Sequence, residues 1–416
     1  MGRILAGMGS GVIVGLGLHA LLGGPVGDWT RRHIVDGAFD VAGRLFLNAI
    51  QMLVVPLVTV SLISGVAGLG GPKRLGRIGS RVVALYLATT AAAISLALGL
   101  ALLLRPGADG EPLATGEWTA PPPPPLTEVF AGLIPRNPIE AMAAGNMLQV
   151  IVVAMLAGAA LAAVGPRAAA VRVWLEQVNE ILLAMVSMVM RAAPLGVFAL
   201  LARVFAVQGA GIAGRLLLYM ATVVAALLVH LVIVHGGLIG LGARLSPIAF
   251  LRAFHPAMAV AFSTSSSNAT LPVTLDVVER RMGVSGPLAA FALPLGATIN
   301  MDGTAIMQGV ATAFIAQVCG VNLGLRDALI VVLMATLASI GTAGVPGVGM
   351  VTLAMVLRQV GLPPEGIGLV LGVDRLLDMA RTTVNVTGDA VVTLVVARQE
   401  GEIDLDRFHG RTGPGT

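Results

Sequence analysis

The sequence carries little charge for its length. Asp, Glu, Lys and Arg make up only 12% of the 416 residues, roughly half the share found in soluble domains. Aromatic residues account for 4%, whereas apolar residues reach 56% and the mean hydropathy is +0.90. This composition excludes water as the main solvent of the folded chain and indicates a protein of the lipid bilayer.

Cysteine and the common catalytic motifs are also scarce or missing. Cys319 is the single cysteine and lies in an apolar run. It cannot form an intramolecular disulfide, and we interpret it as a packing residue. The chain has no G-x-S-x-G, H-E-x-x-H or Walker motif. Their absence argues against a membrane-embedded hydrolase and against a nucleotide-driven pump.

The positive charge follows the pattern of membrane loops. The net charge is +4 and the pI is near 10.1, but the basic residues stand in short gaps between apolar runs. Cytoplasmic loops of membrane proteins are basic in this way, so the charge does not indicate a nucleic-acid partner. Placing these gaps inside the cell puts the N-terminus in the cytoplasm, and we expect the C-terminus there too.

Apolar runs recur along the first part of the chain, and most are long enough to cross a hydrocarbon core of ~30 Å. They predict helices at 4–22, 40–69, 82–104, 139–164, 172–204 and 214–243. Pro194 should kink the fifth of these, and segment 105–126, which contains the prolines 121–125, should form an external loop. The first run could be a signal peptide, but its length and the Gly11 to Gly15 spacing favour a retained helix packed closely on a neighbour.

Two later segments are interrupted in the middle. An apolar arm at 253–262 runs into the polar stretch 263–268, and a second arm begins at Leu271. The same shape recurs at 328–338, the break 339–347 and the arm 348–357. Arms of this length cover about half of a bilayer core, as in re-entrant helical hairpins. The serine run alone could be an exposed loop, or its serines could bond back to helical carbonyls, but paired interrupted segments are typical of a transport site at the midplane.

Between the two hairpins, segment 296–304 places Asn300 and Asp302 inside an otherwise apolar helix. Gly303 should weaken the helix there and free backbone carbonyls. Free carbonyls and a carboxylate suit a hard cation such as sodium. The alternative is that Asp302 simply caps a broken helix.

The last apolar segment carries a stripe of polar residues. Its members are spaced by 4, 3, 4 and 4 residues, which places them within about 80° on one helix face. They are Asp374, Asp378, Arg381, Asn385 and Asp389. Each buried charge is costly at membrane depth, on the order of 2.5 to 3.5 kcal/mol on insertion scales, so the stripe indicates function.

Complementary chemistry within the stripe suggests a ligand. Arg381 offers a planar fork for a carboxylate, and Asp378, one turn away, can receive an ammonium group. Asn385 and the serine-rich hairpin tip can supply neutral donors to a second carboxylate. The expected ligand is therefore an acidic amino acid, although a purely structural Asp378–Arg381 ion pair is the alternative. A channel would instead repeat polar residues along a continuous pore.

The segments "SSSNATLPVT", "GATINMDGTA", "ASIGTAGVPGVGMVTLAMVL" and "DMARTTVNVTGD" resemble, in order, the site-building motifs of the dicarboxylate/amino acid:cation symporter family. "MLVVPLVTVSLISGV", "NPIEAMAAGNMLQV" and "APLGVFAL" resemble its earlier segments, so the likeness covers nearly the whole chain. The resemblance implies an all-α polytopic membrane protein with eight transmembrane helices, two re-entrant helical hairpins and inverted repeats. It also implies a homotrimer in the cell inner membrane that works by an elevator-type mechanism and is not an enzyme.

By this resemblance, residues 1–245 are mainly scaffold, with the third helix at about 82–104 joining the transport domain at 246–400, and 401–416 form a cytoplasmic tail. The substrate amino group would bind Asp378, the side-chain carboxylate Arg381 and the α-carboxylate Asn385. The remaining substrate contacts would be Ser265, Ser266, Ser267, Thr304, Val345, Gly349 and Thr382.

The resemblance also implies cation ligands, among them backbone carbonyls at Gly296 and Asn385. Tyr86, Thr89 and Thr90 match a ligand group of the family, with Thr in place of Ser. The break at 339–347 would be the external gate and part of another cation site. The full expected set is Tyr86, Thr89, Thr90, Gly296, Thr298, Asn300, Met301, Asp302, Ser339, Ile340, Thr342, Asn385 and Asp389.

One departure from the family pattern concerns an arginine. Some prokaryotic relatives carry it at the start of the serine run, where this chain has Ser265, and an arginine stands instead at Arg375. Its spacing of three residues puts Arg375 within reach of Asp378. Sodium is the expected coupling ion and no other cofactor is expected. Proton coupling and a C4-dicarboxylate substrate stay open as alternatives.

Overall fold

The computed structural model describes residues 2–22, 27–67, 73–108, 134–209, 211–339 and 347–408. Within these ranges the backbone forms helices and turns, and its β-type pairing is an isolated bridge between Val284 and Ile403. The prediction of an all-helical chain is confirmed. The predicted loop at 105–126 lies mostly outside the described residues.

The first half of the chain is a series of helices in which three of the predicted helices are interrupted. Its α-helices are α1 (Gly2–Leu22), α2 (Gly27–Thr30), α3 (Asp40–Met52), α4 (Val54–Ala67), α5 (Lys73–Leu104), α6 (Pro138–Ala143), α7 (Met147–Val164), α8 (Ala169–Arg191) and α9 (Ala193–Gln208). A π-helix at Arg31–Phe39 joins α2 to α3, and a 3₁₀ turn at Gly165–Ala168 joins α7 to α8.

The second half contains shorter helices that end at polar breaks. Its α-helices are α10 (Gly211–Val229), α11 (Pro247–Thr264), α12 (Ser267–Asp276), α13 (Gly286–Ile299), α14 (Asp302–Val318), α15 (Leu325–Ser339), α16 (Val348–Gln359), α17 (Ile367–Glu400) and α18 (Leu405–Phe408). Two π-helical segments, His230–His235 and Leu238–Gly242, continue α10. Another, Val277–Arg281, follows α12, and a 3₁₀ turn at Pro364–Gly366 precedes α17.

The prediction of a single helix at 139–164 is wrong, because Gly145 takes a φ of +66° and Asn146 caps α7. Proline accounts for the other two interruptions in the first half. The predicted helix 172–204 is divided at Ala192, and Pro194 lies in the first turn of α9, where a missing N–H costs nothing. The predicted helix 40–69 is divided at Leu53. Pro56 follows three residues later and has no N–H to donate to the carbonyl of Met52, so the helical ladder stops.

Three helical stretches of the described chain are long and apolar enough to cross a membrane. They are Ile78–Leu104, Val152–Leu182 and Gly211–Gly242. Many large apolar side chains outside the core are exposed, for example Leu103 and Leu241. A surface of this kind is stable in contact with lipid tails rather than with water.

The predicted close packing of the first helix is present. α1 lies along α9, and a Cβ added at Gly11 would stand 2.8 Å from the Phe198 carbonyl oxygen. At Gly15 it would stand 2.6 Å from the Ala202 carbonyl oxygen. Small residues at this spacing let two backbones approach closely, as in membrane helix pairs. α1 is thus a packed helix of the structure.

The core lies among α5, α10, α13, α14 and α17. α14 packs against α5 and α17, and Gln317 is its one residue that is not buried. α17 also contacts α10, α11 and α13. The polar stripe of α17 therefore faces protein on several sides, which is where polar groups in a membrane protein are expected.

Candidate functional site

The serine run is a buried break between two helices. α11 ends at Thr264, Ser265 takes a left-handed conformation with φ of +52°, and α12 begins at Ser267. Ser266 caps α12 by accepting a hydrogen bond from the Ala269 amide at 3.2 Å. Ser265, Ser266 and Ser267 are 2%, 9% and 4% exposed. The centre of the run is therefore buried and is not an exposed loop. Ser263 and Asn268 at its ends are exposed, and the Ser263 hydroxyl donates back to the Ala259 carbonyl at 2.7 Å.

The second interrupted segment is formed by α15 and α16. The Ser339 hydroxyl donates to the Ile299 carbonyl at 3.1 Å, which ties the end of α15 to the end of α13. Gly349 is buried beside Thr304 and Arg381: a Cβ there would lie 3.1 Å from Thr304 Cγ2 and 3.6 Å from Arg381 Nη1. The predicted ligands Ile340, Thr342 and Val345 lie outside the described residues.

The break between α13 and α14 falls at Asn300 and Met301, two residues before Gly303. Weakening of the helix by Gly303 was the expected cause, and this is wrong. Gly303 instead lies against the backbone of Arg381, so closely that a side chain there would overlap α17. Asp302 begins α14, but its carboxylate bonds to other helices rather than capping its own.

A buried ion-pair cluster lies on α17. Arg381 Nη2 donates to Asp378 Oδ1 at 2.7 Å, and Arg381 Nη1 lies 2.8 Å from Asp374 Oδ1. Arg375 Nη1 lies 3.6 Å from Asp378 Oδ2, as its spacing predicted. The charges of two guanidinium groups and two carboxylates thus sum to zero. The Asp378–Arg381 ion pair exists, but it does not include Asn385 or Asp389, which extend the stripe.

Asn385 connects α17 to the break before α14. Its side-chain oxygen accepts a hydrogen bond from the Gly303 amide at 2.7 Å. Its amide nitrogen lies 3.3 Å from Met301 Sδ and 3.4 Å from Thr304 Oγ1. The predicted ligands Met301, Thr304 and Asn385 are therefore neighbours, between the Arg381 cluster and the next group of polar residues.

A second polar cluster joins α5, the break before α14 and α17. Thr90 donates to Asp302 Oδ1 at 2.7 Å, and Thr89 lies within hydrogen-bond reach of both Asp302 and Asn300. Asn300 Nδ2 donates to Asp389 Oδ1 at 3.0 Å. The structure thus brings together five of the predicted cation ligands.

Two further predicted ligands lie beside this cluster. A Cβ at Gly296 would stand 2.6 Å from both Asp389 Oδ1 and the Tyr86 hydroxyl, so only glycine fits where α13 passes α17. Tyr86 itself donates to the Ala292 carbonyl at 3.1 Å. Thr298 is set apart: its hydroxyl bonds back to Pro294 in its own helix at 2.9 Å. Thr382 is buried on α17, next to Arg381 in sequence.

The structure adds two residues that the sequence interpretation missed. His230 and His235 both place Nε2 3.1 Å from Asp302 Oδ2, and the two Nε2 atoms are 3.2 Å apart. They are 0% and 1% exposed. Among the described residues these three form the group whose side chains could hold a metal ion. Two histidines inside the apolar run 214–243 were the available signal, since an ionisable residue at membrane depth indicates function.

The second cluster differs from the first in charge. Asp302 and Asp389 are both fully buried carboxylates. No lysine or arginine in the described ranges forms an ion pair with either of them. A buried carboxylate needs a compensating charge or several hydrogen bonds. This part of the site can therefore attract cations.

Comparisons with known proteins agree with this chemistry. The sequence model of the family described as "Sodium:dicarboxylate symporter family" matches residues 1–399. The chain is 36% identical over 420 residues to the "Proton/glutamate-aspartate symporter" of Escherichia coli, covering 97% of this chain and 93% of that protein. It is 33% identical over 410 residues to the "Proton/sodium-glutamate symport protein" of Bacillus subtilis, covering 96% and 94%. It is 33% identical over 386 residues to a "C4-dicarboxylate transport protein" of Rhodospirillum rubrum, covering 90% and 85%.

Proposed function

Because the chain belongs to the sodium:dicarboxylate symporter family, a family of transporters and not of enzymes, we propose that it transports aspartate or glutamate together with coupling cations, chiefly Na⁺. The observation that carries this proposal is the buried Arg381, held between Asp374 and Asp378 where α17 faces both helix breaks. A charged fork so deeply buried suits a ligand with a carboxylate.

Binding exchanges partners within this cluster. The substrate ammonium group takes the place of Arg381 at Asp378, and the freed guanidinium receives the side-chain carboxylate. The α-carboxylate is held by Asn385, Thr304 and the backbone around Ser266 and Ser267. Thr382, Gly349 and Val345 supply the remaining contacts of the pocket. The ammonium group and the side-chain carboxylate each meet an opposite charge, whereas the α-carboxylate is held by neutral donors, so the bound substrate adds one negative charge that the co-transported cations offset.

Cations bind in the cluster of Asp302 and Asp389. Oxygen ligands suit a hard monovalent ion, and Thr89, Thr90, Asn300 and the Gly296 carbonyl supply them nearby. Met301, Thr298, Ser339 and the break after α15 form a further cation position. Two buried carboxylates without a cationic side chain favour an ion that enters with the substrate, whether Na⁺ or H⁺.

The architecture follows the family expectation. Eight helices span the membrane, while α11–α12 and α15–α16 are re-entrant hairpins related by an inverted repeat. Three copies assemble in the inner membrane with both termini in the cytoplasm. In each copy residues 246–400 and the helix at about 82–104 move as an elevator against the rest of 1–245, and 401–416 form a tail. The long packed contact between α1 and α9 supports a rigid scaffold in the first half.

Uptake by proteoliposomes tests the proposal. Purified protein is given labelled aspartate with an inward sodium gradient alone, an inward proton gradient alone, or neither. We expect concentrative uptake with sodium. Uptake that depends on the proton gradient and not on sodium would mean that the coupling ion is H⁺. Absence of aspartate uptake under every gradient would contradict the proposed substrate.

A second substrate class is supported by Arg375. Because Arg375 lies 3.6 Å from Asp378, it can neutralise that carboxylate without a substrate ammonium group. A C4-dicarboxylate would then bind Arg381 alone. Competition separates the two: unlabelled succinate should displace labelled aspartate much more weakly than unlabelled glutamate does if the amino group is recognised.

A further inference from the structure

His230 and His235 form a pair that the proposed function does not use. Both imidazole Nε2 atoms converge on one oxygen of Asp302. We infer that the pair holds Asp302 with two neutral N–H donors in place of a coupling cation, so that Asp302 binds sodium far more weakly than Asp389. The inference rests on the proposed function only in taking sodium as a coupling ion. It makes the histidines positioning residues that set the sodium affinity of Asp302.

The backbone is shaped to bring these two rings together. Residues five apart on an α-helix are about 140° apart around its axis, so their side chains diverge. Here His230–His235 is a π-helix, whose hydrogen bonds join residues five apart. Residues at that spacing therefore lie nearly one above the other. The ring centroids are 4.5 Å apart with planes at 73°, which lets both edges point at Asp302.

The hydrogen-bond partners favour one protonation pattern. Within the described residues, the Nδ1 atom of each ring is buried without a hydrogen-bond partner. A neutral imidazole carries one N–H, and Nε2 is the atom that has an acceptor. We therefore assign the proton of each ring to Nε2, from which both rings donate to Asp302 Oδ2.

The same observation argues against a transition-metal ion at this position. The three converging atoms are of types that bind Zn²⁺, and 3.1–3.2 Å separates them. A metal-bound histidine, however, normally donates its other ring N–H to an acceptor that orients it. Neither Nδ1 atom has such an acceptor among the described residues.

Donors satisfy Asp302 more fully than Asp389. A carboxylate offers about four acceptor positions. At Asp302 the two histidines use Oδ2 and Thr90 uses Oδ1. The Thr89 hydroxyl lies 3.3 Å from the same Oδ1, but its nearest acceptor is the Tyr86 carbonyl at 3.0 Å. At Asp389 the described residues supply one side-chain donor, Asn300 Nδ2. A sodium ion at Asp302 would have to displace these donors, whereas at Asp389 acceptor positions are available.

Sodium titration of the full-length protein in detergent tests this inference without substrate. Thermal unfolding is followed as sodium replaces choline at constant ionic strength, which gives the sodium concentration for half of the stabilisation. The comparison is made in an Asp389→Asn background, so that the titration reports Asp302. There, removing both donors by His230→Ala with His235→Ala should lower that concentration roughly tenfold or more, because Oδ2 then lacks two charge-assisted hydrogen bonds. His230→Gln with His235→Gln keeps N–H donors and should restore the wild-type value. His255→Ala, on the exposed face of α11, is the matched control.

Several results would overturn the inference. One is an unchanged half-stabilising concentration, within twofold, in an alanine pair that melts cooperatively. Another is a glutamine pair that behaves like the alanine pair, since cavity size and not donation would then matter. A third is stabilisation of the wild type by one equivalent of Zn²⁺ that both pairs lose.

Two controls keep the outcome decisive. If the alanine pair does not fold, His230→Ala and His235→Ala singly should each lower the half-stabilising concentration, about threefold, because each removes one donor. If sodium stabilises neither the wild type nor the alanine pair, sodium coupling itself fails together with the inference. If sodium stabilises the wild type and the pair equally, the inference alone fails.

Discussion

Two polar clusters include residues of α17, and each contains a pair of buried aspartates, but they differ in charge. Around Arg381, two carboxylates meet two guanidinium groups and cancel. Around Asp389, about 12 Å further along the helix at 1.5 Å per residue, the side chains leave two carboxylates with hydrogen-bond donors alone. A neutral cluster can exchange one charged partner for another. A negative one requires positive charge from outside the chain.

This difference gives a physical basis for coupling. Asn385 stands between the clusters and bonds to the break that carries Asn300 and Asp302. An ion that orders the break would also position Asn385 for the substrate. Coupling of this kind is reciprocal, so bound substrate should raise cation affinity by the same factor. The predictions below test each side of the comparison in turn, from the largest expected effect to the smallest.

The neutral cluster around Arg381 should lose substrate binding when the Arg381 charge is removed. Arg381→Ala leaves Asp374 and Asp378 buried with Arg375 as the remaining partner, and breaking a buried pair costs about 3 to 5 kcal/mol. We expect aspartate uptake to fall more than ~100-fold, with neutral amino acids such as serine gaining access. Uptake of both substrates measures this. Arg398→Ala, at the exposed end of α17, should leave uptake unchanged, and wild-type aspartate affinity in Arg381→Ala would contradict the assignment.

Recognition of the amino group should depend on the other half of the same cluster. Asp378→Asn removes the charge that receives the ammonium group, so aspartate affinity should fall by roughly 30-fold, while succinate affinity changes little. Competition with labelled aspartate gives both constants. Asp276→Asn, on an exposed ion pair with Arg280, is the control. Equal losses for aspartate and succinate would mean that Asp378 is structural.

Removing a charge from the negative cluster should change the sodium dependence of substrate binding. Asp389→Asn keeps the hydrogen-bond geometry with Asn300 but removes the charge, so the half-saturating sodium concentration should rise about tenfold. Sodium-dependent aspartate binding measures it, with cooperative thermal unfolding as the check on folding. Undiminished concentrative uptake without sodium under a proton gradient would show that the cluster serves protons.

The smallest effect should come from Arg375. In the substrate-free carrier it can neutralise Asp378, so Arg375→Ala leaves an unpaired charge on the way back across the membrane. Net uptake should slow about threefold more than exchange of internal for external aspartate, which avoids that return step. Arg280→Ala, in an exposed helical ion pair, is the control. Equal slowing of both processes would mean that Arg375 merely packs.

The sequence predicted the polar stripe, the two interrupted segments and the interruption near Pro194 because each has a local signal. It did not predict the divisions of 40–69 at Leu53 and of 139–164 at 144–146. Proline at position 194 interrupts a helix wherever the rest of the chain lies. Five polar residues on one face of an apolar helix require a buried polar environment. The family motifs added the expected ligands, and the structure places Thr89, Thr90, Asn300, Asp302 and Asp389 together.

The histidine pair could not be predicted from helical periodicity. His230 and His235 are five residues apart, a spacing that places their side chains on different faces of an α-helix. No local residue pattern predicts a π-helix. The position of the break at Asn300 was also misjudged. Gly303 looked like the weak point because glycine is flexible, but contact with α17 is what requires it there. Both errors concern packing between distant segments.

The close packing of α1 against α9 affects the order in which the chain folds during synthesis. His19 bonds to the Ala206 carbonyl, which lies 187 residues later. At a synthesis rate of about 5 to 20 residues per second, α1 waits roughly 10 to 40 seconds before its partner leaves the ribosome. During that time the glycines of α1 lack the α9 backbone that they pack against in the folded chain. The contact between α1 and α9 therefore forms late in synthesis.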